Sequence, residues 1–248
     1  MQKQHTIRSV NFINDTLFEL TVERLDIPFV VGDCMAIYAP DGKSRPYSIA
    51  SGTNEDVLRF LIRRLPQGEV TTQLANAKQG EFLNISPPFG WFRPGQEKQQ
   101  APSVFFATGT GIAPFASLIR EPETFDKFGQ IFLTHTCRDS EELNFGSELM
   151  AEIKNDPLVG DYSDKIHYLP TTTRSESANK GRITSWIETD KITSYFNAPP
   201  IDAERDKFMI CGSIDLNRDM SALLTNRGFS EGSNSKPADF TIEKAFVG

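Results

Sequence analysis

The stretch SVFFATGTGIAP, residues 103–114, places a strand-like apolar run directly before a glycine turn and the start of a helix. Gly109 and Gly111 would let the backbone come close to a pyrophosphate, and the first turn of the helix would offer free N–H groups to it. Pro114 suits that first turn, where a backbone N–H has no helical partner. A glycine turn alone is weak evidence, but its position between a strand and a helix predicts a dinucleotide site.

The chain after this stretch alternates between strand-like and helix-like segments. Strand-like runs occur at QIFLTHT, KIHYLPTTT, KFMICGS and DFTIEKAFV, and helix-like segments such as SEELNFGSELMAEIK lie between them. Alternation at this spacing predicts a doubly wound, mostly parallel sheet with helices on both faces. We assign this domain to residues 103–248.

The part of the chain before residue 93 has a different pattern. Short runs rich in β-branched and aromatic residues, such as TLFELTVER and VLRFLIRRL, are separated by turn segments such as PDGKS and SGTNED, and one helix-like segment, EVTTQLANA, interrupts them. This pattern predicts a small antiparallel β-barrel, which we assign to residues 1–98. The polar, proline-flanked stretch 93–103 reads as a linker.

The composition restricts the function classes. The chain has 248 residues, of which 38% are hydrophobic and 24% charged, and its formal net charge of −7 argues against binding to nucleic acid or to an anionic membrane. No apolar run approaches the roughly 18 residues of a membrane helix, and the first residues lack the apolar core of a signal peptide. Cys34, Cys137 and Cys211 are far apart and lack disulfide or metal-ligand spacing. We therefore expect a cytoplasmic protein without a metal.

The segment RPYSIAS, residues 45–51, groups a cation, an aromatic ring and a hydroxyl. In an extended strand Arg45 and Tyr47 would share one face, and Ser48 would point to the other unless the backbone bends. A cation beside a flat ring suits a ligand with both a phosphate and a ring system. The alternative is an edge strand with a solvated arginine and a half-buried tyrosine.

The polar loop TTTRSESANKGRIT, residues 171–184, carries Arg174 and Arg182. Two arginines near a nucleotide site suit a 2′-phosphate, because guanidinium groups bind phosphate oxygens in pairs. No acidic residue ends the preceding strand QIFLTHT to bind a free ribose 2′-hydroxyl, which is consistent with NADP rather than NAD. The alternative is two solvated arginines.

Two shorter motifs leave alternatives open. GEVT, residues 68–71, is either a plain helix start or a second phosphate cradle. Cys211 follows the strand-like KFMI, at the end of a strand where α/β sheets bind ligands, or it is an inert buried thiol. The histidines lack metal-ligand spacing and are interpreted as structural: His5, His135 and His167.

The order of these motifs, RPYS, GEVT, GTGIAP, TTTR with GR, and CGS, resembles that of the ferredoxin/flavodoxin–NADP reductase family over nearly the whole chain. The ending EKAFVG resembles that of its bacterial group, whose chains end in AFV with a short extension. The resemblance implies an FAD-binding Greek-key β-barrel followed by an NADP-binding α/β domain. The sequence departs from the family at SIDL, residues 213–216, where relatives commonly have a proline and a methionine, so the role of Ile214–Leu216 is open.

The resemblance also implies roles for individual residues. Arg45 would meet the FAD pyrophosphate, Tyr47 would stack on the isoalloxazine, and Ser48 would reach toward its N5. Ala245 would lie against the isoalloxazine face and Phe246 over the adenine, whereas the alternative makes Phe246 a cap on the apolar edge of the sheet. The implied catalytic residues are Tyr47, Ser48, Cys211 and Ala245. The implied cofactor-binding residues are Arg45, Pro46, Tyr47, Ser48, Ile62, Arg63, Gly68, Glu69, Val70 and Thr71 for FAD, Thr108, Gly109, Thr110, Gly111, Arg138, Thr173, Arg174, Arg182, Cys211 and Gly212 for NADP(H), and Ala245 and Phe246 in the tail.

The function that the resemblance implies is hydride transfer between NADPH and the N5 of FAD, followed by one-electron exchange with ferredoxin or flavodoxin, in a monomer. An acidic partner protein would need a local basic surface, for which the candidates are Arg59, Arg63 and Arg64, with Lys43 nearby. One alternative is the reductase component of an oxygenase, although three scattered cysteines cannot supply the four thiolates of an attached iron–sulfur cluster. Another is a flavin-binding regulatory or scaffold protein without turnover.

Overall fold

The computed structural model describes residues 2–90, 92, 101–202, 204–233, 236 and 238–243. By their contacts the residues form two compact units, one of Met1–Arg93 with Ala113–Arg120 and the other of Pro94–Ile112 with Glu121–Gly248. The segment after the glycine turn therefore belongs to the first unit. Among the described residues no helix combines the length and the apolar character that a membrane span needs.

The first unit contains a six-stranded sheet in which every pairing is antiparallel, in the order β4-β3-β6-β1-β2-β5. The Ala50 N–H donates to the Arg59 carbonyl at 2.8 Å, which joins the chain just after the edge strand β4 to the other edge strand and closes the sheet on itself. The predicted antiparallel barrel is confirmed. Its elements are β1 (Lys3–Phe12), β2 (Leu17–Glu23), β3 (Cys34–Tyr38), β4 (Ser44–Ser48), β5 (Val57–Arg63), α1 (Glu69–Ala75) and β6 (Phe82–Ile85).

The core of this barrel consists of the inward-facing aliphatic and aromatic residues of its strands. Phe18, Leu20 and Phe60 are completely buried, as alternation along β2 and β5 requires. The sequence pattern does not indicate β1, because only His5 and Ile7 among its ten residues are buried. Pairing with β2 on one side and β6 on the other holds this polar strand in the sheet.

The segment Ala113–Leu118, which forms α2, is buried throughout. The Ser117 hydroxyl donates to the Ser51 carbonyl at 2.8 Å, and the Phe115 ring meets Phe92 edge-on at 5.5 Å between centroids. Beyond the helix, the Arg120 guanidinium lies 3.6 Å from the Glu55 carboxylate. These contacts explain why a helix that follows the glycine turn packs as part of the first unit.

The second unit contains a five-stranded parallel sheet in the order β11-β10-β7-β8-β9, so the predicted parallel sheet with helices is confirmed. The first strand, β7, begins at Ala101, so the last residues of the stretch interpreted as a linker belong to the sheet. The strands are β7 (Ala101–Thr108), β8 (Phe128–Cys137), β9 (Ile166–Thr172), β10 (Lys207–Cys211) and β11 (Phe240–Ile242). The helices that follow α2 are α3 (Pro122–Lys127), α4 (Asn144–Asn155), α5 (Ile183–Glu188), α6 (Lys191–Phe196) and α7 (Ile214–Asn226).

The strand order changes direction at β7. The chain runs from β7 to β8 and β9 on one side, and then returns to place β10 on the other side of β7. In open α/β sheets, ligands bind where this reversal separates the carboxyl ends of two neighbouring strands. The glycine turn after β7 and the Cys211–Gly212 pair after β10 both lie at this point.

Candidate functional site

The edge strand β4 carries the first group of predicted residues. Arg45 is exposed, Tyr47 is half-buried, and Ser48 is buried. The Tyr47 hydroxyl and the Ser48 Oγ are both shielded from solvent, and neither has a hydrogen-bond partner within the described part of the chain. Burial raises the pKa of Tyr47 to about 12, although Arg45 opposes the rise. Buried hydroxyl groups without partners are costly, so this strand is suited to a ligand that satisfies them.

The turn before α1 carries the second group. The Thr71 Oγ1 accepts from the Leu65 N–H at 3.1 Å and donates to the Gly68 carbonyl at 3.2 Å. A Cβ on Gly68 would collide with that Oγ1 and would lie 3.0 Å from the Leu65 Cβ. A larger residue at position 68 would therefore have to displace the Thr71 hydroxyl from these hydrogen bonds. The Glu69 carboxylate forms an ion pair with Lys43, which lies directly before β4 and so links the two groups.

The glycine turn of the second unit packs tightly against the end of β10. A Cβ on Gly111 would collide with the Cys211 carbonyl oxygen and lie 2.8 Å from the Gly212 Cα. A Cβ on Gly212 would collide with the Thr108 Oγ1, which accepts a hydrogen bond from the Ser213 N–H at 3.0 Å. The structure thus brings the predicted Thr108–Gly111 turn and the Cys211–Gly212 pair together. Cys211 itself is completely buried.

The predicted arginines of the second unit line one cavity of about 450 Å³. Two backbone hydrogen bonds where β8 and β9 end bring these residues together. The Thr173 N–H donates to the Cys137 carbonyl and the Arg174 N–H to the Arg138 carbonyl, each at 2.9 Å. Within the described residues, none of the three guanidinium groups in the lining forms an ion pair with a carboxylate. The residues lining the cavity are Arg138, Thr173, Arg174, Gly181 and Arg182.

Two oxidoreductase domain families match the two parts of the chain. Residues 5–93 match the oxidoreductase FAD-binding domain and residues 105–222 the oxidoreductase NAD-binding domain. The chain is 39% identical to the flavodoxin/ferredoxin–NADP reductase of Rhodobacter capsulatus, over 98% of this chain and 93% of that one. It is 35% identical to ferredoxin–NADP reductase A of Sorangium cellulosum, over 99% and 90% of the two chains. The chain belongs to the ferredoxin/flavodoxin–NADP reductase family.

The fold agrees with that family membership. The crystal structure of a ferredoxin NADP⁺ reductase from Neisseria gonorrhoeae, with bound FAD and NADP, superimposes with a TM-score of 0.88 over 99% of both chains, at 24% sequence identity. The resemblance that the sequence motifs suggested is therefore confirmed at the level of family and fold.

Some of the predicted cofactor-binding residues are buried or lie outside the described residues. Ile62 and Val70 are buried in the barrel core, and the Arg63 guanidinium lies 3.3 Å from the Thr16 hydroxyl. Ala245 and Phe246 lie outside the described residues. Their assigned roles stay predictions.

The departure from the family pattern after Gly212 has a local structural reason. Ser213 is the N-cap of α7, and its hydroxyl accepts from the Leu216 N–H at 3.1 Å. Asp215 adds a negative charge in the first helical turn, where the helix dipole favours it. Ile214 is 58% exposed, so its side chain takes no part in the core. Residues 213–216 therefore form the capped first turn of α7.

The sequence did not indicate one polar residue that contacts the glycine turn. His135, interpreted as structural, lies near the end of β8 with its Nε2 2.9 Å from the carbonyl oxygen of Gly109 in the glycine turn. The signal was a polar residue near the carboxyl end of an apolar strand, which is where parallel sheets present functional side chains.

Proposed function

We propose that the protein transfers electrons between NADP(H) and a ferredoxin or flavodoxin, using FAD held by the first unit. The cavity of Arg138, Arg174 and Arg182 is the observation that carries this proposal. Three guanidinium groups without carboxylate partners in the described structure suit a dianionic phosphate, and a 2′-phosphate is what distinguishes NADP from NAD. The relatives' names, which include NADP reductase, support the same choice.

The residues of β4 fit FAD. The Tyr47 ring is half-buried and offers an apolar face with a polar tip, and the Ser48 Oγ is a buried hydroxyl without a described partner. Arg45 contributes an exposed cation on the same strand, suited to a pyrophosphate. When bound, FAD supplies the ability to accept two electrons as a hydride and to release them singly.

The protein contributes orientation, hydrogen bonds and exclusion of water. A tyrosine with an ordinary pKa near 10 is already protonated in the physiological range, and burial raises the pKa of Tyr47 further, to about 12, so its hydroxyl remains a donor. Ser48 can donate to, or accept from, a ring nitrogen placed beside it. The glycine turn holds the pyrophosphate of NADP(H) through backbone N–H groups, and Cys211 and Gly212 form the wall after β10.

The Thr71 hydroxyl has a narrower role than the family resemblance implies. Its single proton is donated to the Gly68 carbonyl, and its oxygen accepts from Leu65. A phosphate needs donors, so Thr71 serves this site by shaping the turn, and the backbone supplies the contacts.

We also propose that the partner is an acidic protein and that the reductase works in the cytoplasm as a monomer. The basic surface predicted to meet this partner is partly neutralised, because Arg59 pairs with Glu55 at 2.9 Å and Lys43 pairs with Glu69. Arg64, which forms no ion pair within the described residues, is therefore the stronger candidate for attraction at long range.

An NADPH oxidation assay tests the proposal. We expect turnover with an artificial electron acceptor and with purified ferredoxin or flavodoxin, and faster turnover with NADPH than with NADH. Flavin binding without NADPH oxidation would instead favour a regulatory or scaffold role.

We expect the purified protein to be yellow, with one non-covalent FAD per chain. Replacing Arg45 by alanine should weaken FAD binding about tenfold to a hundredfold, because a hydrogen bond to a charged group contributes about 1.5–3 kcal/mol. Equilibrium dialysis against FAD measures the change. Arg8→Ala is the matched control, because Arg8 is an exposed arginine of the same unit that pairs with Glu23. Equal FAD affinity in the Arg45 and Arg8 variants would contradict the role of Arg45.

Reduction of ferredoxin or flavodoxin should slow as the salt concentration rises, whereas reduction of a small neutral acceptor should change much less. Salt screens the long-range encounter, since the Debye length is about 10 Å at 0.1 M. Stopped-flow rates over a series of ionic strengths measure this, and an Arg63→Gln, Arg64→Gln variant should show a shallower dependence. The same salt response for both acceptors would argue against electrostatic steering.

A further inference from the structure

His135 is buried, with only 1% of its surface exposed, and both of its ring nitrogens contact polar atoms of the second unit. Its Nε2 lies 2.9 Å from the Gly109 carbonyl oxygen, and its Nδ1 lies 3.2 Å from the Tyr168 hydroxyl. The Cys137 Sγ also lies 3.2 Å from Nε2. The imidazole therefore lies between β9 and the glycine turn.

These partners fix the position of the ring proton. A carbonyl oxygen only accepts, so the nitrogen facing Gly109 must carry the proton and donate it. In a neutral imidazole the other nitrogen is then an acceptor, which suits the Tyr168 hydroxyl as donor. Burial raises the pKa of Tyr168 well above its ordinary value, so this hydroxyl keeps its proton. The hydrogen bonds run from Tyr168 to His135 and from His135 to Gly109.

The hydrogen bond to Gly109 orients a peptide plane. In a trans peptide, the Gly109 carbonyl and the Thr110 N–H point in opposite directions. Because His135 holds the carbonyl on the side of β8, the Thr110 N–H is directed away from β8. Gly109 has a φ of +53°, in the left-handed region. A glycine backbone is conformationally permissive, so a hydrogen bond from His135 is needed to hold the following peptide plane in one orientation.

We propose that His135 is a positioning residue for the dinucleotide: by holding the Gly109 carbonyl, it directs the Thr110 N–H toward the pyrophosphate of NADP(H). This inference rests on the proposed function, because it assumes that the turn binds that pyrophosphate. It assigns to a buried histidine a part in nucleotide binding that acts through the backbone.

A glycine in the neighbouring helix leaves space for the contact between His135 and Tyr168. A Cβ on Gly146, in α4, would collide with the Tyr168 hydroxyl and would lie 3.1 Å from the His135 Nδ1. Glycine inside a helix costs about 1 kcal/mol relative to alanine. Its presence here leaves room for the tyrosine and the imidazole to meet.

Substituting His135 by glutamine or by asparagine tests the contribution of each ring nitrogen separately. In His135→Gln the terminal amide can reach the position of Nε2 and donate to Gly109, whereas in His135→Asn the amide is one methylene shorter and remains on the Nδ1 side. His135→Leu removes both contacts. Isothermal titration calorimetry on each FAD-loaded variant measures binding of NADP⁺ and of adenosine 2′-monophosphate, which carries the 2′-phosphate but no pyrophosphate.

We expect the Leu and Asn variants to bind NADP⁺ about tenfold more weakly than the wild type, as the loss of one backbone-orienting hydrogen bond implies. The Gln variant should bind within about threefold of the wild type. All three should bind adenosine 2′-monophosphate as the wild type does, because its phosphate occupies the arginine cavity.

Two results with the His135 variants would overturn the inference. One is wild-type NADP⁺ affinity in the Leu or Asn variant, and the other is a parallel loss of both ligands, which would make His135 a packing residue only. If these variants do not fold, Tyr168→Phe gives the same test by removing one oxygen: a roughly threefold loss for NADP⁺ alone supports the inference, and an unchanged affinity overturns it. A wild-type protein that binds neither ligand would overturn the proposed function itself.

Discussion

An Arg174→Ala, Arg182→Ala double variant should lose on the order of a hundredfold or more in kcat/KM for NADPH, while its kcat/KM for NADH stays within about threefold. Each charge-assisted hydrogen bond contributes about 1.5–3 kcal/mol, and the double substitution removes two of the three guanidinium groups in the cavity. NADH lacks the 2′-phosphate, so removing these arginines should change its kcat/KM little. Steady-state kinetics with both nucleotides measure the change in preference.

Lys180→Ala is the matched control for this experiment. Lys180 is a cation of the same loop, but it pairs with Glu176 and does not line the cavity. Its replacement should leave the preference for NADPH unchanged. If the double arginine variant kept wild-type NADPH kinetics, or if the wild type used both nucleotides equally, the cavity would not be the 2′-phosphate site.

Gly111→Ala should both destabilise the second unit and weaken NADP⁺ binding. The added methyl group would collide with the Cys211 carbonyl oxygen, which is backbone and cannot rotate away as a side chain could. Forcing extra atoms into a close-packed site costs about 1–3 kcal/mol, and moving the turn away from β10 should weaken NADP⁺ binding about tenfold or more. Urea denaturation and calorimetric titration measure the two effects.

Gly228→Ala is the control variant, because it introduces backbone strain without a steric collision. Gly228 has a φ of +91°, and no atom lies within 4 Å of an added Cβ. Its replacement should cost about 1–2 kcal/mol of stability through the left-handed conformation alone, with NADP⁺ affinity unchanged. Wild-type stability and NADP⁺ affinity in Gly111→Ala would show that the turn can move without consequence.

The sequence predicted most of the strands because their residues alternate or are apolar throughout. It did not indicate β1, whose polar residues take part in the sheet through backbone pairing with two neighbours. The helix α3, which begins at Pro122, was also not indicated, because only the adjacent residues Thr124 and Phe125 are buried and they form no helical period. Local pattern thus predicts elements that bury a face, and it misses those that the surrounding fold imposes.

In the candidate site too, some features were predicted from the sequence and others were not. Arg174, Arg182 and the glycine turn were predicted because their residue types suit phosphate and lie at strand ends. The ion pair between Lys43 and Glu69 and the hydrogen bond between His135 and Gly109 were not predicted. Both join residues far apart in the chain, and only the folded topology decides which distant groups meet.

The contacts of α2 have a consequence for dividing the protein into fragments. The chain passes from one unit to the other after Arg93, after Ile112 and after Arg120, so a single cut in the stretch 93–103 cannot separate the two units. A fragment beginning at Ala101 would retain a helix whose residues, including Phe115, are all buried in the whole protein, and would expose them to water. The complementary fragment would lose the hydroxyl that donates to the Ser51 carbonyl. Neither fragment would therefore keep all the contacts of α2, and a fragment boundary placed at the change in sequence pattern would divide a packed unit.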